Sequence, residues 1–120
     1  MANAIDQATF ANLLEMTGGD QEFVDELVDT YLTEGDRLVG DLVAAAAAGD
    51  IAALVLPAHS MKSSSLNVGA LELGELCRLL ETDARNGSVD APVDRANAVK
   101  VAFAVVRAAL LDERLGRASS

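Results

Sequence analysis

The feature that most limits how this chain can fold is its apolar rhythm between two glycine stops. From Gln21, the residues Phe23, Val24, Leu27, Val28, Tyr31, Leu38, Val39, Leu42, Val43 and Ala46 recur with a period near 3.6, up to Gly49. That spacing predicts one long helix, opened by Asp20 as cap and preceded by a short helix carrying Ile5, Ala8, Thr9, Leu13 and Met16, which Gly18-Gly19 closes. Gly35 falls on the buried stripe, where it costs about 1 kcal/mol against alanine, so it marks a bend or a close helix crossing, and packing is the expected reason.

The same rhythm continues downstream. Asp50 restarts the chain, with Ile51, Leu54, Ala58, Met61, Ser65 and Val68 on one face. After a turn at Asn67 to Gly69, Leu73, Leu76, Cys77, Leu80 and Ala84 form the next stripe, and Asn86-Gly87-Ser88 ends it. Asp90-Ala91-Pro92 opens a last helix with Ala96, Val99, Phe103, Val106 and Leu110 inward. No segment has the alternation of a strand. Because the joints are short, sequential helices are expected to be antiparallel neighbours. The expected fold is all-α: an up-down-up-down four-helix bundle with a short extra N-terminal helix, its four longer helices about 17 to 28 residues each.

Length and charge narrow the function. The 120 residues are expected to form a single domain, 1–120, with about 1–4 and 116–120 frayed. One cysteine allows no internal disulfide, no apolar leader is visible, and the alanine run Ala44 to Ala48 stops at Gly49-Asp50, far short of the roughly 20 residues of a membrane span. A cytoplasmic protein with no membrane partner is expected, and the initial methionine fits a free-standing one. A net charge of −10 repels nucleic acid, and Phe10, Phe23, Phe103 and Tyr31 are too few to stack bases. The partner is expected to be protein, and the chain itself a monomer.

One short stretch carries chemistry. "AHSMKSSSLNVGA", residues 58–70, holds the sole histidine, and between Leu38 and Cys77 Lys62 is the sole basic residue. Counting 100° per residue puts His59 some 130° from the centre of its helix's apolar arc, on an exposed stripe with Ala52, Val55, Lys62, Ser63 and Leu66. An uncharged imidazole keeps a nucleophilic lone pair, and Lys62, one turn along, can bring an ammonium to a phosphoryl oxygen. Ser63 leaves room for another protein to close over the ring; Ser65 lies inward, where a small residue permits close approach; Ser64 points elsewhere. No metal site is expected, since a di-iron bundle needs two histidines, and the acidic Glu22, Asp25, Glu26 and Asp29 face reads as solvated. Cys77 reads as a core filler.

Residues 58–70 resemble the signature of the histidine-containing phosphotransfer (HPt) domain, roughly A-H-x-L-K-G-S-S-x-x-x-G-A. Ala58, His59, Lys62, Ser64, Ser65, Gly69 and Ala70 match, Met61 replaces leucine, and Ser63 stands where glycine is usual. Gly49-Asp50 and Leu80-Glu81 fit the family's rhythm as well. The resemblance implies that His59 takes a phosphoryl group from an aspartate of one receiver domain and passes it to another, with Lys62 supporting the group. Receiver domains of response regulators or hybrid histidine kinases are the implied partners, with no cofactor on this chain and a divalent cation on the receiver. The protein would be a phosphocarrier rather than an enzyme, with catalysis supplied by the partner receiver or kinase. The alternative is a helical adaptor that binds signalling proteins without chemistry; such adaptors are expected to lose the histidine or the lysine, and both are present. Ala52, Val55, Ser63 and Leu66 are the expected docking residues, the competing reading being that a neighbouring helix covers Val55 or Leu66 and it merely packs; Ser64, Ser65, Gly69 and Ala70 are the structural part of the motif.

Overall fold

A computed structural model of the chain describes the backbone of residues 4–119 and side chains as far as residue 113. Five α-helices follow in order: α1 (Gln7–Met16), α2 (Gln21–Ala48), α3 (Val55–Asn67), α4 (Leu71–Arg85) and α5 (Pro92–Ser119), with a 3₁₀ turn at Ala52–Leu54 leading into α3. No strand occurs among the described residues. The ends expected to fray fall mostly outside the described side chains, and the helical backbone of α5 runs on to Ser119.

Local chemistry sets the boundaries. Asp20 accepts from the Phe23 amide at 3.0 Å and caps α2. At its far end Gly49 takes φ 68°, and the amides of Gly49 and Asp50 close onto Ala46 and Ala45. Pro57 falls in the first turn of α3, where a missing amide costs little. The 3₁₀ turn before it and the stop at Gly69 hold α3 to 13 residues, and α4 has 15, both shorter than the periodicity predicts.

Packing places α3 and α4 side by side, α2 against α3 and α5, and α4 against α5, so α3 and α5 stand on the diagonal of the bundle. Helix α1 leans on α2 and α3. The expected stripe of α5 is wholly buried, as are Leu73, Cys77, Leu80 and Ala84 of α4. Several assignments change, and Ala8 of the α1 stripe is exposed. Phe23 is 45% exposed, Leu76 37% and Met16 75%, while Leu32 and Phe10 take inward places the spacing did not give them. Each displaced residue sits at the edge of its stripe, where a helix end or a neighbour's curvature decides burial.

Gly35 marks a close crossing. A β-carbon there would collide with the ring of Phe103 on α5, which also tilts against Tyr31 with centroids 5.8 Å apart. Cys77 is buried in the core, and burial pushes its thiol up to about 12, which suits a filler rather than a reactive group. Among the described residues no helix is long and apolar enough to cross a membrane.

Candidate functional site

The exposed ridge of α3 meets α4 at one charged cluster. His59 Nδ1 lies 2.9 Å from Glu81 Oε2, and Lys62 Nζ lies 2.7 Å from Glu81 Oε1. Arg85, one turn on from Glu81 in α4, donates from Nε to Oε2, also at 2.9 Å. The Glu81 side chain is only 8% exposed, whereas the imidazole is 49% exposed. The Lys62 contact falls outside hydrogen-bond geometry, so Oε1 is satisfied by the ammonium's charge rather than by a directed bond.

Electrostatics then fixes the proton. Lys62, with Arg85 and His59 behind it, holds the Glu81 carboxyl down at about 2, against the opposing pull of burial. An ionised carboxylate can only accept, so the imidazole hydrogen in a neutral His59 sits on Nδ1. Nε2 then keeps its lone pair, on a ring that is half-exposed. One carboxylate between two cations gives the cluster a charge of +1, in a chain whose net charge is −10.

The other motif residues have separate places. Ser65 is fully buried, and its hydroxyl shares a 2.8 Å hydrogen bond with Tyr31 Oη, so it fastens α3 to α2 as well as making room. Ser64 turns back on its own helix, donating to the Ser60 carbonyl at 3.0 Å. Gly69 takes φ 86° and its carbonyl accepts from the Asp6 amide at 2.7 Å; a β-carbon there would come within 2.9 Å of the Asp6 carbonyl oxygen. Ala70 is buried beside it, its amide bonded to the Ser65 carbonyl. This pair therefore seats the N-terminal segment and Asp6, the cap of α1.

On the ridge itself, Ala52 and Ser63 are exposed and Leu66 is 41% exposed. Val55 is half-buried and packs on the core. Leu66 leans over Gly74 of α4, where a β-carbon would lie 2.6 Å from its methyl group. Helical counting placed both on the free stripe, but a neighbouring helix reaches farther round α3 than an isolated wheel shows.

Sequence reasoning missed Glu81 and Arg85 as members of the cluster. Their signal was present: Glu81 keeps phase with Cys77 and Ala84 on the buried face, and a carboxylate there demands partners. It missed Leu56 too, which lies 60° round the helix from His59 and is 74% exposed. No group of three or more metal-ligating side chains occurs among the described residues.

With this geometry in place, comparison with known proteins becomes decisive. The sequence matches the family description "Hpt domain" over residues 26–117. The chain belongs to the Hpt domain family. Its fold is similar to the crystal structure of histidine-containing phosphotransfer protein B (HptB) from Pseudomonas aeruginosa PAO1, with TM-score 0.86 and 32% identity over 96% of this chain and 97% of that one. No curated protein sequence matches significantly. As an Hpt domain the chain is a histidine phosphotransfer protein of a two-component phosphorelay, a phosphocarrier that interacts with receiver domains.

Proposed function

We propose that His59 is the residue that carries the phosphoryl group, and that it does so on Nε2. The supporting observation is the 2.9 Å contact between Nδ1 and a carboxylate held ionised, which leaves Nε2 of the neutral, half-exposed ring unprotonated. In the forward step the Nε2 lone pair attacks the phosphorus of a receiver's aspartyl phosphate. The phosphorus–oxygen bond breaks, the carboxylate leaves with its electron pair, and a phosphorus–nitrogen bond forms. The onward step is the reverse, with a second receiver's aspartate as nucleophile. In both, the receiver supplies the divalent cation and its own aspartate, and this chain supplies an oriented ring.

Lys62 has two tasks in this reading. In the resting protein it neutralises Glu81; once a dianionic phosphoryl group stands on Nε2, the ammonium turns from the carboxylate to a phosphoryl oxygen, and Arg85 keeps the carboxylate paired. Incubating the protein with phosphorylated receiver domains should give acid-labile, alkali-stable label on wild type and none on His59→Gln. Equal label on both proteins would refute the assignment. The protein is proposed to act as a cytoplasmic monomer.

A further inference from the structure

Charge around His59 departs from the acidic average of the chain. Residues 51–71 contain no aspartate or glutamate in a chain that has nineteen, and α3 is the one helix with no acidic residue. The two flanks of the His59 ridge also differ from each other. On the α4 side, Arg78 and Arg85 project from the same face as Glu81 and are 51% and 55% exposed. Arg78 pairs with Glu75 within α4, and a solvent-facing pair of that kind is weak enough to open for a partner's carboxylate, whereas Arg85 stays on the buried Glu81.

On the α2 side the ridge is bordered by apolar side chains. Leu56, three residues before His59 and 74% exposed, stands at the edge of an open cleft of about 660 Å³ whose walls include Ala44, Ala48 and Ala53. The cleft also holds Arg37, paired with Asp41 at 3.2 Å, and Asp50, whose carboxylate accepts from the Ala53 amide at 3.2 Å. Water gains nothing from a leucine standing clear of its helix, whereas a complementary side chain seated between Leu56 and the alanines removes apolar surface from solvent on both sides.

We propose that these two flanks select the partner: an acidic protein whose reactive carboxylate is bordered on one side by an apolar side chain that covers Leu56, and on the other by carboxylates that reach Arg78. This rests on the phosphocarrier reading and specifies the receiver it uses. The acidic surface of α2 repels the same partner, which favours encounter at α3.

The test compares two reagents. Phosphoramidate, a small donor, phosphorylates histidine by exchanging its own phosphorus–nitrogen bond for one to the imidazole and releasing ammonia, and it requires no docking. Label from a panel of phosphorylated acidic receivers requires docking. For Leu56→Asp the ratio of receiver-dependent to phosphoramidate-dependent labelling rate should fall at least tenfold, at any salt. For Arg78→Glu it should fall severalfold at low salt and return to the wild-type ratio near 1 M, where charges are screened beyond about 3 Å. Thermal midpoints verify folding, and Leu56→Ser is the milder variant should aspartate disturb it. Unchanged ratios in folded Leu56 and Arg78 variants would overturn the proposal. A wild type that neither reagent labels overturns the carrier reading beneath it, which is a distinct result.

Discussion

On its inward face α3 holds Ser65, sealed from solvent and sharing a 2.8 Å hydrogen bond with Tyr31; on its outward face, less than two turns earlier, it holds His59, half-exposed and tied at 2.9 Å to Glu81. Both couples join α3 to a neighbour, yet they are built oppositely. The inner couple is neutral, with burial pushing the Tyr31 hydroxyl up to about 12, and one hydrogen bond is enough to bury it. The outer couple contains a buried ionised carboxylate, which needs Lys62 and Arg85 beside it and orients a ring whose far edge stays open. One helix thus separates a fastening from the proposed phosphoryl acceptor by facing them into different dielectric environments.

The sharpest way to break that contrast is Glu81→Leu, which removes the orienting carboxylate and leaves the nucleophile. Phosphotransfer from a receiver is expected to fall about 100-fold, since small misplacements of a reacting group cost that much. Retained transfer would mean that the ring needs no orientation from α4. On the inner side, Ser65→Ala strands the Tyr31 hydroxyl and is expected to cost about 1–3 kcal/mol in denaturant unfolding. Its folded form should still accept phosphoryl groups near the wild-type rate, so a selective loss of transfer would show that the two faces are coupled.

The smallest effect concerns acid. The Glu81 carboxyl titrates at about 2 in the folded protein against 4.5 ordinarily, so it contributes stability above pH 4.5 and that contribution disappears as pH falls toward 2. Glu81→Gln should flatten that part of the stability profile by a modest amount, because Lys62 and Arg85 remain partly in water. An unchanged acid limb would show that the carboxylate gains nothing from its partners on folding.

Much of this was legible in the chain itself. Periodicity and glycine punctuation define all five helices, and the buried stripe of α5 coincides residue for residue with its spacing. Gly35 signalled its crossing because a glycine on a buried stripe needs a reason, which is the Phe103 ring. His59 and Lys62 were found because they lie one turn apart on one helix. Glu81 and Arg85 were not, since they join the cluster from another helix, 22 and 26 positions on from His59, and nothing local in the sequence gives the rotation of α4 against α3. The partial burial of Val55 was one of two open readings for the same reason: a helical wheel shows which residues share a face but not how far a neighbour wraps round it.

The central claim, that Glu81 holds the Nδ1 hydrogen and so directs the phosphoryl group to Nε2, is tested most directly by nuclear magnetic resonance on protein labelled with ¹⁵N in its single histidine. At a pH where the ring is neutral, the unphosphorylated protein should show the Nδ1–H tautomer, and after phosphorylation by a receiver the phosphorus coupling should appear on Nε2. Coupling to Nδ1, or a resting ring whose hydrogen sits on Nε2, would contradict the account.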